Sequence, residues 1–80
     1  MNFVQVRLYA AARSAAGESE IMAPPETLKK ILRDISIGNT QLERVFDQCS
    51  FLIDGVVCHD VNTEISAGST VDVLPPFAGG

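Results

Sequence analysis

The chain has 80 residues, of which 46% are hydrophobic and 20% are charged, and its formal net charge at pH 7 is −4. This length suits one small domain, and the composition is that of a folded protein rather than a disordered one. The acidic balance argues against a nucleic-acid binder, which needs a basic surface to neutralise phosphates. The apolar stretches are too short to span a membrane, and the N-terminal residues lack the pattern of a secretory signal. Cys49 and Cys58 do not form a disulfide framework, so we expect a reduced, cytoplasmic domain.

The first third of the chain predicts two strands with a helical turn between them. Residues 2–9 alternate with a period of two, which places Val4, Val6 and Leu8 on one face of a half-buried strand. The alanine-rich segment 10–16 ends at a glycine, as a short helical turn often does. Residues 18–23 alternate again before Pro24-Pro25, which predicts a second strand antiparallel to the first.

The middle of the chain predicts a main helix over residues 27–35 and a shorter second helix over residues 41–48. In the first segment the apolar residues recur at the spacing of one helical face. A Gly38-Asn39 pair separates the two segments. The apolar positions of the two helices are Leu28, Ile31, Leu32, Ile35, Leu42, Val45 and Phe46.

The last third predicts three short strands. Asp54-Gly55 lies between two apolar triplets, and this dipeptide favours the two-residue turn of a tight hairpin. A final strand begins after Gly68 and ends at Pro75-Pro76, since proline cannot donate a ladder hydrogen bond. Val71 and Val73 point to one side of this strand, and Thr70, Asp72 and Leu74 point to the other.

These elements predict an α+β domain in which a mixed sheet packs on one main helix with a shorter second helix. The first and last strands are the most apolar, so we expect them side by side in the centre of the sheet. The predicted core consists of Val4, Val6, Leu8, Leu28, Ile31, Leu32, Ile35, Ile53, Val71 and Val73.

The side chains offer little conventional catalytic chemistry. The single histidine, His59, stands beside Asp60, but a metal site needs three or four convergent ligands. Cys49 and Cys58 lack redox spacing and are interpreted as small apolar fillers. The acidic residues are dispersed along the chain, which we interpret as a solvated surface. The sequence therefore predicts no metal site and no side-chain nucleophile.

The segment 74–80, Leu-Pro-Pro-Phe-Ala-Gly-Gly, carries the strongest functional signal. Pro75-Pro76 stiffens the backbone and projects residues 77–80 away from the sheet. Gly79 and Gly80 have no Cβ, so the segment is thin enough to enter a narrow channel in another protein. The predicted reactive group is therefore the α-carboxylate of Gly80 rather than any side chain.

The order of elements, the Asp54-Gly55 hairpin, the segment 8–13 and the ending 75–80 resemble the MoaD-type sulfur carriers, the small subunits of molybdopterin synthase in the ThiS–MoaD superfamily. The resemblance implies a β-grasp, ubiquitin-like domain over residues 1–76 and a flexible diglycine tail over residues 77–80.

The resemblance also implies a mechanism. An E1-like enzyme adenylates Gly80 with ATP and Mg²⁺, and a sulfur donor protein then converts the terminus to a thiocarboxylate. The sulfur passes to a pyranopterin precursor in the pocket of the large synthase subunit. By this resemblance the chain binds no cofactor, is not catalytic alone, and joins a heterotetramer. Independently of the resemblance, the alternation predicts that Tyr9 and Leu74 point outward beside one another on adjacent strands and that Leu52 and Val57 extend this apolar patch, which we interpret as a partner surface. Pro75, Pro76 and Phe77 complete the residues predicted to bind the partner, with Gly79 in the reactive tail.

Two alternatives stay open at this point. The chain resembles sulfur carriers of other pathways, such as thiamine thiazole synthesis, although the second helix and Pro75-Pro76 favour the molybdopterin pathway. A ubiquitin-like modifier that is joined to lysines through an isopeptide bond also ends in Gly-Gly, because the same acyl-adenylate precedes both products.

Overall fold

The computed structural model describes residues 2–76. The predicted segments all form, and their ends differ from the sequence prediction by no more than two residues. The predicted tail, residues 77–80, lies outside the described residues. In chain order the elements are β1 (Val4–Leu8), α1 (Ala10–Ala16), β2 (Glu20–Ala23), α2 (Leu28–Ile35), α3 (Thr40–Phe46), β3 (Ser50–Ile53), β4 (Val56–Cys58) and β5 (Thr70–Leu74).

The five strands form one mixed sheet in the order β2-β1-β5-β3-β4. The central pair, β1 and β5, is parallel, and the other neighbouring pairs are antiparallel. This confirms the predicted β-grasp arrangement, in which the first and last strands lie side by side. Helix α2 is only one residue longer than α1 and α3, so the three helices are of similar length.

The helices cover one face of the sheet and enclose the core with it. All but two of the predicted core residues are buried; Ile35 and Ile53 are only partly buried against the cluster. The prediction omitted several residues that also contribute to the core: Ala12, Ala23, Leu42, Phe46, Phe51 and Ile65.

The N-terminus of α2 is closed by its own cap and by the long connection between β4 and β5. The Thr27 hydroxyl accepts a hydrogen bond from the Lys30 N–H at 3.2 Å. The carbonyls of Thr63 and Val61 accept from the N–H groups of Leu28 and Lys29, at 3.0 and 2.8 Å. These contacts satisfy donors that a helix start otherwise leaves without a partner, so the helix begins after Thr27.

The hairpin between β3 and β4 has the predicted two-residue turn. Asp54 and Gly55 both have positive φ, at 49° and 83°, which is the signature of a type I′ turn. This turn fixes the register in which Leu52 faces Val57.

Candidate functional site

The ends of the two central strands lie together because β1 and β5 run parallel. Leu8 is the register partner of Val73, and Tyr9 and Leu74 are the next residues along the two strands. Leu8 and Val73 are buried against the helices, whereas Tyr9 and Leu74 are half-buried. The alternation therefore places Tyr9 and Leu74 on the face of the sheet that faces away from the helices. We call this surface the outer face: Arg7, Tyr9, Glu20, Leu52, Val57, Asp72 and Leu74.

A bidentate ion pair occupies the centre of the outer face. Arg7 and Asp72 are register partners on β1 and β5. The Arg7 Nε donates to Asp72 Oδ1 at 2.6 Å, and the Arg7 Nη2 donates to Asp72 Oδ2 at 3.0 Å. The Tyr9 hydroxyl donates to the same Oδ1 at 3.3 Å. Asp72 is 9% exposed, so the interpretation of the acidic residues as a solvated surface is wrong for Asp72.

The electrostatics of this pair keep Arg7 charged. The hydrogen bond with Asp72 raises the pKa of the Arg7 guanidinium above its ordinary value, and the nearby charges of Asp72 and Glu20 act in the same direction. Glu20 is the register partner of Arg7 on β2. Arg7 therefore lies between two carboxylate-bearing positions, and its side chain is 46% exposed.

Two apolar residues of the outer face, Leu52 and Val57, lie on the side of Asp72 that is away from Arg7, and Leu74 lies on the same strand as Asp72. Leu52 on β3 is the register partner of both Asp72 and Val57, and Leu74 is the register partner of Ser50. Leu52 and Leu74 are half-buried, and Val57 is 51% exposed. The structure thus brings the four predicted outward residues onto one face, but a polar centre separates Tyr9 from Leu52 and Val57.

The end of β5 leads directly into the segment predicted to be reactive. Pro75 is buried and Pro76 is exposed. Phe77, Gly79 and Gly80 lie outside the described residues, so their predicted roles stay predictions. The outer face and the start of this segment are adjacent, because Leu74 belongs to one and immediately precedes the other.

A second concave region lies on the helix side, and no sequence pattern pointed to it. This cleft of about 820 Å³ is bordered by α2, α3 and the β3–β4 hairpin, and its lining includes Cys49, Cys58 and His59. Burial raises the pKa of the Cys49 thiol to about 11, and the thiol donates to the Val45 carbonyl at 3.1 Å. A thiol with that pKa is protonated at neutral pH and is a poor nucleophile.

Two further features bear on function. Within residues 2–76, no group of three or more His, Cys, Asp or Glu side chains is arranged to hold a metal ion. No helix in that same range is long and apolar enough to cross a membrane.

Comparison with known proteins identifies the family. The model of the ThiS family matches residues 6–80, nearly the whole chain. The chain belongs to the ThiS family. Comparison with curated protein sequences gives no significant match.

Solved structures give the same fold. The small archaeal modifier protein 1 from Methanosarcina acetivorans is 24% identical with a TM-score of 0.82, and the alignment covers 100% of this chain and 98% of that one. A complex of subunits 1 and 2 of molybdopterin-converting factor from Helicobacter pylori gives 24% identity and a TM-score of 0.72, with 98% and 99% covered. The BexX/CysO complex from Amycolatopsis orientalis gives 19% identity and a TM-score of 0.79, with 96% and 99% covered. These TM-scores over nearly the whole chain show a shared β-grasp, ubiquitin-like fold, and the last two structures are complexes with partner proteins.

Proposed function

We propose that this member of the ThiS family is the sulfur carrier of molybdopterin synthesis, with the carboxylate of Gly80 as the group that is activated. The observation that carries the proposal is the family match, which extends through the Gly79-Gly80 pair to residue 80. Pro75 and Pro76 precede this pair at the end of a central strand, which supports a segment that leaves the sheet and enters a partner.

The chemistry explains why a partner enzyme is needed. A carboxylate is a poor electrophile because it is negatively charged and has no good leaving group. In the proposed sequence an oxygen of the Gly80 carboxylate attacks the α-phosphorus of ATP, and pyrophosphate leaves. A sulfide equivalent from the sulfur donor protein then attacks the acyl carbon, and AMP leaves. The product is a thiocarboxylate, and its sulfur is the atom that is transferred to the pterin precursor.

In this proposal the chain itself supplies no catalytic side chain. ATP and Mg²⁺ are bound by the E1-like adenylating enzyme, and the pterin pocket belongs to the large synthase subunit. The outer face is the surface with which this chain docks, since it adjoins Pro75 and combines exposed apolar area with a polar centre. Two small subunits on a dimeric large subunit form the proposed heterotetramer.

A second candidate function is protein modification. It is favoured by the small archaeal modifier proteins, which have the same fold with TM-scores of 0.80 and 0.82. A modifier shares the acyl-adenylate, but a lysine amine attacks it and the product is an isopeptide bond. A carrier for thiamine thiazole synthesis would form the same thiocarboxylate and pass its sulfur to a different acceptor enzyme.

Adenylation is the step that tests the proposal first. The chain is incubated with ATP, Mg²⁺ and each E1-like adenylating enzyme of the same organism, and ATP–pyrophosphate exchange is measured. We expect exchange with the wild-type chain and none with a variant that lacks Gly80, although both unfold at the same temperature. Exchange that is equal in the two chains would contradict Gly80 as the activated group.

A further inference from the structure

A protein that covers the outer face has to provide hydrogen-bond acceptors for Arg7. Arginine carries five N–H donors, and Asp72 accepts from two of them. The Arg7 side chain is 46% exposed, so water can hydrogen-bond its remaining donors in the free chain. A partner that covered Arg7 with purely apolar surface would leave these donors buried without acceptors, which is costly.

The charges around Arg7 restrict what the missing acceptor can be. Asp72 and Glu20 are its register partners on the two neighbouring strands, so one cation lies between two carboxylate-bearing residues. A third carboxylate, from the partner, would be repelled by two charges of the same sign and attracted by one. A neutral oxygen, such as a backbone carbonyl or an amide, satisfies the donors without that repulsion.

The positions of the basic residues show which charge on the outer face has no compensating partner. Within residues 2–76, Arg7 is the only basic residue on a strand; the others lie on the helices, at Arg13, Lys29, Lys30, Arg33 and Arg44. Asp72 already neutralises Arg7, which leaves the exposed Glu20 as the uncompensated charge of the outer face. A covering surface with a basic side chain opposite Glu20 complements this charge.

We propose that the enzyme that adenylates Gly80 recognises the outer face through a neutral oxygen that accepts from Arg7 and a basic side chain that lies opposite Glu20, with apolar contacts over Leu52, Val57 and Leu74. The inference rests on the proposed function and adds the polar chemistry of its docking surface. On this account the Arg7–Asp72 pair is a specificity device as well as a structural one.

A double variant in which Arg7 and Asp72 are exchanged separates the role of the pair in specificity from its role in stability. The double variant Arg7→Asp/Asp72→Arg keeps the net charge and an ion pair between β1 and β5, but it moves the guanidinium to the other strand. The matched control is Lys30→Asp/Asp34→Lys, because Lys30 and Asp34 form an ion pair on α2, on the helix side of the sheet. Both exchanges are made in the full chain.

The readout is the KM for this chain in ATP–pyrophosphate exchange, together with kcat and the unfolding temperature. We expect the exchange at residues 7 and 72 to raise KM about tenfold or more. The kcat should change little, since Gly80 is untouched, and the exchange on α2 should leave both constants unchanged. If both exchanges leave KM at the wild-type value, the pair is only structural and the inference is overturned.

Glu20→Gln provides a second test that does not depend on how the exchanged pair folds. Glu20 is exposed, so the variant should unfold like the wild type. We expect a higher KM and a weaker dependence of KM on salt concentration, because one screened charge pair is lost. An unchanged KM and salt dependence would contradict the basic side chain opposite Glu20. If no adenylating enzyme activates the wild-type chain, the proposed function fails and the inference fails with it.

Discussion

Asn39 connects two helices that are far apart in the sequence. Its side-chain Nδ2 donates to the carbonyl of Ala15, near the end of α1, at 2.9 Å. Its Oδ1 accepts from the N–H of Leu42 in the first turn of α3 at 3.0 Å. One amide therefore caps α3 and holds it against α1, and an aspartate in its place would provide only the acceptor.

Asn39→Ala and Asn39→Asp should separate the two contributions. The alanine variant loses the cap and the bond to Ala15, so we expect its free energy of unfolding to fall by about 1–3 kcal/mol. The aspartate variant keeps the cap and should lose about 0.5–1.5 kcal/mol. Urea unfolding of the three proteins measures both values. Equal stability of the two variants would mean that the bond to Ala15 contributes nothing.

Leu32 tests the packing of α2 on the sheet. It is 9% exposed and belongs to the core cluster. Leu32→Ala removes buried methyl groups and leaves a cavity, so unfolding should require about 2–5 kcal/mol less. The control is Ile37→Ala, because Ile37 is 74% exposed and should change stability by no more than about 0.5 kcal/mol. Similar melting temperatures for the Leu32 and Ile37 variants would refute this packing.

The hydrogen bonds of the Asp54 carboxylate predict how the stability of the domain depends on pH. The Thr70 N–H donates to its Oδ1 at 2.9 Å, and this bond, with one from the Ser69 side chain, lowers the pKa of the carboxyl below its ordinary 3.8. Because the folded-state pKa is the lower one, the stabilisation is complete above the unfolded-state pKa and is lost as pH falls through the folded-state pKa.

Asp54→Asn isolates this effect, since asparagine keeps an acceptor oxygen and tolerates the positive φ of 49° at this position. We expect the wild type to be the more stable of the two at neutral pH, with a difference that shrinks when the pH is taken below 3.8. Denaturant unfolding at the two pH values measures it. A difference that does not vary with pH would show that the charge of Asp54 plays no part.

The sequence predicts the fold well where the signal is local. The period of two in residues 2–9, the apolar stripe of Leu28 to Ile35 and the Asp54-Gly55 turn each specify an element within a few residues. The two-layer arrangement with the first and last strands adjacent is predictable because few layered packings accommodate these elements in this order. The β-grasp fold itself is what the resemblance to the MoaD-type carriers implies.

The candidate site is predicted less completely, because its polar centre depends on a long-range register. Arg7 and Asp72 are 65 residues apart, and they meet only because β1 and β5 are parallel with Leu8 opposite Val73. Alternation placed Asp72 on the correct face but did not specify its partner across the strands. Asn39 is a similar case: the sequence marks a break there, but not the bond to Ala15, since that contact depends on how α1 and α3 pack.

Leu74 tests the outer face as a docking surface. Leu74→Asp adds a charge to a half-buried position beside Tyr9, so we expect at least about a tenfold loss of affinity for the large synthase subunit. Titration calorimetry measures the affinity, and circular dichroism checks that the variant is folded. Ile37→Asp is the control, because Ile37 is exposed and lies beside the cleft on the helix side. An affinity that is unchanged in the Leu74 variant would exclude this residue from the interface.

The central claim is that Gly80 carries sulfur, and intact-mass spectrometry tests it most directly. The chain is incubated with the adenylating enzyme, ATP and a sulfur donor, alongside a variant that lacks Gly80 and the variant Gly79→Val, whose branched side chain widens and stiffens the tail. We expect the wild-type mass to rise by the exchange of one oxygen for one sulfur, mapped to Gly80, with no gain in the shortened chain and a reduced gain in Gly79→Val. Attachment of the whole chain to lysines without any thiocarboxylate would contradict the carrier function and favour a modifier instead.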